Sequence, residues 1–116
     1  MKKYVIIRTQ VEAIHSWPEC PYEDVSFLRS PHRHIFHIEI KISVGHNDRE
    51  VEFIRAKRKI EEQLRGYGKL KDIGSTSCED MAEEIYSWFG TTYPIISISV
   101  FEDNENGAEI IFEEKE

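Results

Sequence analysis

The sequence predicts an α+β fold, with two helices packed on one face of an antiparallel sheet. Three observations carry this reading. Two long stretches near the N-terminus alternate apolar and polar residues with a period of two, the pattern of half-buried strands. Two later stretches repeat apolar residues at helical spacing. Two further alternating runs close the chain, so that strands pair as hairpins around a central pair of helices. The predicted order is β-β-β-α-α-β-β.

The first strand spans residues 3–15. Val5, Ile7, Thr9, Val11, Ala13 and His15 share one face, and Tyr4, Ile6, Arg8, Gln10 and Glu12 share the other. The next stretch, "SWPECPYEDVSFLRSP", has three prolines and little periodicity. It reads as a loop of about 16 residues, and loops of that length are often functional. The second strand runs from about residue 33 to 45, with His34, Phe36, Ile38, Ile40, Ile42 and Val44 on its apolar face. "GHND" is a turn, and "REVEF" (49–53) reads as a third, short strand.

"FIRAKRKIEEQLRGYG" then reads as a helix. Phe53, Ala56, Ile60 and Leu64 form its stripe, and Gly66 and Gly68 stop it. "STSCEDMAEEIYSWFG" is a second helix with a stripe of Met81, Ala82, Ile85, Trp88 and Phe89, ended by Gly90. Its start offers two caps, Thr76 with Glu79 or Ser77 with Asp80. Pro94 opens a fourth strand, "IISISVFED", in which Ile96, Ile98, Val100 and Glu102 share a face. "NENG" turns the chain into a fifth strand, "AEIIFE".

The 116 residues fit a single domain, 1–116. A chain of this size buries roughly two thirds of its unfolded surface, enough for one core. The formal charge of −7 argues against a nucleic-acid surface and against anionic lipid headgroups. Small cationic or neutral partners, or a metal ion, stay open. Cys20 and Cys78 are the only cysteines, and no CxxC is present, so no disulfide framework is expected. "MKKYVIIRTQ" is too short in its apolar part for a signal peptide, and no run of 18 apolar residues occurs. The expectation is a reduced, cytoplasmic protein.

Four of the five histidines lie near the first two strands, and three carry the chemistry. His32 and His34 are two apart and leave the same face of an extended chain. His15 ends the neighbouring strand on its core-facing side. Three imidazoles at strand ends suit an open zinc site, which takes three protein ligands and leaves a fourth position free. The plainer reading makes His34 a satisfied core histidine and His15 a loop residue, and the spacing leaves both open. His37 and His46 read as surface residues. Glu102 is the second oddity, a carboxylate on an otherwise apolar face. It either meets solvent at the edge or is buried against a partner, where it can accept two N–H bonds from a flat heterocycle.

"VEAIHSW", the proline-rich loop, "PHRHIFHIEIKISV", "TSCEDMAEEIY" and "ISVFED" together resemble the pattern of the 6-pyruvoyl-tetrahydropterin synthase and 6-carboxy-tetrahydropterin synthase family. The resemblance spans nearly the whole chain in the same order. It implies a tunnelling fold: an antiparallel four-stranded sheet with two helices on one face, assembled into homo-oligomeric rings that close a β-barrel, with active sites between subunits. It implies that His15, His32 and His34 match the family's zinc ligands, and that Glu102 matches the carboxylate clamping the pterin's amino and ring N–H groups. Ser77, Cys78 and Glu79 match the helix start lining the same pocket, where backbone N–H groups suit polar ligand atoms. Cys78 is then a small packed pocket residue rather than a nucleophile.

The sequence departs from the family in its proton chemistry. The family places a base cysteine a few residues before the His-x-His pair, tuned by an aspartate–histidine pair between the helices. Here Leu28 stands four before His32, and Cys20 lies twelve before it. Asp72 matches the aspartate, but Ile73 stands where the histidine is expected. General acid–base catalysis contributes about 10²–10⁴-fold, so the family reaction needs Cys20, Glu23 or Asp24 to fold back into the site. Three functions follow as expectations. One is a zinc-dependent carbon–oxygen lyase on a dihydroneopterin triphosphate-type pterin. Another is a zinc-containing pterin- or purine-binding relative without that turnover. The last is a metal-free interaction domain.

Overall fold

The computed structural model describes residues 1–67 and 71–112. Strand β1 (Lys3–His15) and strand β2 (His32–Val44) form a long antiparallel hairpin, in register from Lys3 opposite Val44 to His15 opposite His32. Helix α1 (Phe53–Arg65) and helix α2 (Cys78–Phe89) follow, and then β3 (Ile95–Glu102) and β4 (Gly107–Ile111). The sheet order is β1-β2-β3-β4, and every neighbouring pair is antiparallel. Thirteen residues at about 3.3 Å each give a strand of roughly 43 Å. That ribbon accounts for most of the 50 Å long dimension of the molecule.

Alternation sets which face is covered. Ile7, Val11 and Ala13 of β1 join Phe36, Ile38, Ile40 and Ile42 of β2 in one buried cluster with Ile98 and Val100 of β3. Both helices cover this face, α1 through Ala56, Ile60 and Leu64, and α2 through Met81, Ala82 and Ile85. The class is therefore α+β, with a four-stranded antiparallel sheet and two helices on one side. Among the described residues no helix is long and apolar enough to cross a membrane.

Several local expectations change. The third strand predicted over residues 49–53 does not form. Arg49 takes a left-handed conformation (φ 54°), and Glu52 caps α1 by accepting from the N–H groups of Ile54 and Arg55. The alternation of "REVEF" thus serves a turn and a cap, and Phe53 lies exposed at the helix start. In β3 a bulge shifts the register between Lys41 and Ile42, so that Ile95 rather than Ile96 opposes Ile42 and is buried. For α2 the cap is the Ser77–Asp80 pair, a complete capping box. Gly66 follows α1 as expected. The expected stop at Gly68 and the end of the fifth strand at Glu113 lie outside the described residues.

The long loop also has structure. It contains a kinked 3-10 segment, Glu23–Arg29, braced from within. The Trp17 N–H donates to the Leu28 carbonyl, and Arg29 donates to the Cys20 carbonyl and to Glu23. On the far side of β1, the segment ahead of α2 is tied to the strand end. Ile14 donates to the Lys71 carbonyl, Ile73 donates to the Ile14 carbonyl, and Ser16 donates to the Gly74 carbonyl. These ties bring the loop and the start of α2 to the same end of the sheet.

Candidate metal centre

The hairpin register places His15 and His32 directly opposite each other, with Ala13 opposite His34. Because side chains alternate, all three imidazoles leave the helix-covered face. Their ring centroids are 4.5, 5.0 and 5.2 Å apart, and one ring nitrogen from each lies within 4.8 Å of the others. They are close enough to hold a metal ion. Phe36 is fully buried beneath them, its ring edge-on to His15 at 5.2 Å and to His34 at 5.7 Å.

Each ring is held by its other nitrogen. Nδ1 lies 2.8 Å from the Thr76 carbonyl in His15, 2.8 Å from the Ser30 carbonyl in His32, and 2.7 Å from the Asp103 carboxylate in His34. All three partners only accept, so each Nδ1 carries a hydrogen, and in the neutral ring each Nε2 keeps a free lone pair. The pattern is that of metal-ligating histidines, whose second nitrogen donates to a carbonyl or carboxylate. Among the described residues, the Nε2 atoms of His15 and His34 are buried without a hydrogen-bond partner. Glu102 Oε2 lies 3.0 Å from the first and 3.7 Å from the second, within ion-pair reach of a protonated ring, and forms no hydrogen bond to either. Unpartnered buried polar atoms are uncommon and costly. A cation shared by these nitrogens would satisfy them, so the donor set fits a metal.

A cavity of about 560 Å³ opens beside the imidazoles. His15, His32 and Glu102 form one wall, the α2 start (Ser77, Cys78, Glu79, Asp80) another, and Trp17 and Leu28 of the loop a third. The lining holds three carboxylates, and among the described residues it holds no lysine or arginine. Burial, followed by the charges of Glu102 and Glu79, pushes the Cys78 thiol up to about 12. That thiol stays protonated at neutral pH and packs rather than attacks. Hydrogen bonds from the Ile35 N–H and then from His34 hold the Asp103 carboxyl below the usual range.

The structure thus brings together His15, His32, His34, Glu102, Ser77, Cys78 and Glu79. The other three sequence candidates lie elsewhere. Cys20 is buried with its thiol near the carbonyls of Tyr22 and Val25, Glu23 pairs with Arg29 in solvent, and Asp72 accepts from the Gly74 N–H. None of them lines the cavity. Sequence reasoning missed Asp103, Trp17 and the Thr76 and Ser30 carbonyls. The signal for Asp103 was present: "EDN" ends an alternating strand, and Asp-Asn tolerates the left-handed turn found there. No protein-family model matches the chain, and comparison with curated proteins gives no match either.

Proposed function

We propose that this is a zinc protein whose three-histidine centre, with one coordination place left for a ligand, takes a flat pterin- or purine-like heterocycle. The observation that carries the reading is the shared anchoring of His15, His32 and His34, with each Nδ1 tied to an oxygen and one ring nitrogen from each within 4.8 Å of the others. An all-imidazole set suits zinc, which when bound would supply Lewis-acid chemistry at ligand oxygens. Glu102 lines the cavity and would accept N–H bonds from the ligand, and Ser77, Cys78 and Glu79 bound the same space. Burial of a planar ring against Trp17 and Leu28 would add apolar contact. A homo-oligomeric ring in the cytoplasm completes the proposal. The long outer edge of β1 supports it, since edge strands of that length are normally covered.

The reading has two forms. In the first the protein is a carbon–oxygen lyase acting on a dihydroneopterin triphosphate-type pterin. In the second it binds a pterin or purine without that turnover. The cavity lining favours the second. Leu28 occupies the loop wall where a base is needed, the Cys78 thiol is held protonated, and the acidic lining is unfavourable for a triphosphate.

Metal analysis of the purified chain, followed by mixing with dihydroneopterin triphosphate and with unphosphorylated neopterin, tests this. The expected result is about one zinc per chain, lost in His32→Ala, with neopterin bound and no change in absorbance that marks product. Turnover of the triphosphate would instead establish the lyase form. Zinc below about a tenth per chain in zinc-fed cells would overturn both.

A further inference from the structure

Of the three histidines, only His34 is anchored by a charged group. The Thr76 and Ser30 carbonyls hold His15 and His32, whereas Asp103 Oδ2 accepts from His34 Nδ1 at 2.7 Å. The second oxygen, Oδ1, accepts from the Ile35 N–H at 3.0 Å, and the Asp103 N–H donates to the Ile35 carbonyl at 2.8 Å. Asp103 is therefore locked to β2 at three points, and both its carboxylate oxygens are in use.

The backbone pays for this placement. Asp103 (φ 52°) and Asn104 (φ 59°) are both left-handed, in a turn closed by the Glu105 N–H on the Glu102 carbonyl. Such a turn most readily takes Asn-Gly or Asp-Gly, which relieve the strain at the second position. The carboxylate is aimed back at the neighbouring strand, where one oxygen satisfies the Ile35 N–H and the other holds His34. The first bond serves the turn, and the second acts on the imidazole. An ionised carboxylate cannot donate, so it fixes a hydrogen on Nδ1 and, in the neutral ring, leaves the lone pair on Nε2. It also fixes the ring's rotation and makes Nε2 a stronger donor to a cation than a neutral carbonyl does.

We infer that Asp103 is a positioning residue of the metal centre: it presents His34 Nε2 to the ion and raises the affinity of the site for a divalent cation. This rests on the metal reading above and adds a residue to it. The competing role is a purely structural one in the hairpin turn. Asparagine separates the two, because it is isosteric and accepts the left-handed backbone while losing the charge. Glycine serves as a second variant that keeps the turn and loses both side-chain bonds.

The experiment measures zinc affinity of the full chain by competition with a chromogenic chelator, the visible spectrum of the cobalt-substituted protein, and the melting of the zinc-free protein. Asp103→Asn is expected to weaken zinc binding about 10–100-fold and Asp103→Gly by at least as much. Both should alter the cobalt bands, while Asp103→Asn leaves the zinc-free melting unchanged. Wild-type zinc binding with both variants within about threefold of it would overturn the role of Asp103 alone. A wild-type chain that takes no zinc would overturn the metal reading and this role together.

Discussion

His15 and His32 face each other as a directly opposed pair across β1 and β2, with ring centroids 4.5 Å apart. The relationship is a consequence of register. With a side-chain period of two, a slip of one residue would send one of the two rings to the other face of the sheet. The apolar residues Ile7, Val11, Phe36, Ile38 and Ile40 hold the register, because such a slip would expose the set on one of the two strands. The metal centre is thus an extension of the core pattern, with imidazoles in the last positions of an otherwise apolar face.

Face assignment predicts which histidines matter. His15→Ala should abolish stoichiometric zinc binding, whereas His37→Ala, on the opposite face of β2, should bind as the wild type does. Metal analysis of the two purified variants checks this. Equal zinc content in both would mean that the ion, if bound, sits elsewhere.

Phe36 links core and site. It is fully buried, and it meets the rings of His15 and His34 edge-on. Truncation to alanine should cost about 3–5 kcal/mol in a urea titration, through lost transfer energy and the cavity left behind. Zinc affinity should fall as well, since the floor under two ligands would be gone. Unchanged affinity in a destabilised Phe36→Ala chain would show that the Nδ1 anchors alone position the rings.

How legible this was in the sequence follows from which interactions are local. The hairpin, both helices and the histidine trio were readable, because period-two and period-3.6 patterns report directly on a shared core. The "REVEF" segment misled for the same reason. Its alternation imitates a strand over five residues, while Glu52 is spent on capping the helix that follows. The bulge that buries Ile95 was invisible, since an inserted residue leaves no signature in the strand that contains it. For Asp103 the sequence marked the turn but not the contact. Its role depends on a left-handed turn that folds it onto a strand 68 and 69 positions away in sequence. Leu28 and Trp17 were read as loop residues, and only the bracing of that loop shows that they wall the cavity.

Gly107 begins β4 and borders the same cavity. A Cβ added there would lie 2.0 Å from the Val100 carbonyl oxygen and 2.7 Å from the Phe101 Cα, both backbone atoms with little freedom to retreat. Gly107→Ala should therefore destabilise the β3–β4 hairpin by about 1–3 kcal/mol, the usual cost of overpacking. Melting temperature and hydrogen exchange of the Val100 and Phe101 amides would report it. A variant as stable as the wild type would mean that the hairpin can open at this point without loss.

The state of Cys78 yields a pH prediction. Burial, reinforced by the negative charges of Glu102 and Glu79, raises its thiol from 9.0 to about 12. A folded-state value above the unfolded one means that the protonated thiol favours folding. That contribution is complete below about pH 9, the unfolded value, and is lost as the pH climbs towards 12. Tyr67 behaves alike, raised from 10.0 to about 12 chiefly by burial, so both groups make the fold sensitive to alkali in one window. At pH 8 the thiolate fraction of Cys78 should be on the order of 10³-fold below that of an unfolded cysteine. In a Cys20→Ser chain, which leaves Cys78 as the one thiol, iodoacetamide should accordingly label the native protein far more slowly than the urea-unfolded protein. The difference should shrink as the pH is raised through 9 and beyond. Native labelling as fast as that of the unfolded chain at pH 8 would show an ionised thiol open to the cavity, and Cys78 would then have to be considered as a reacting group.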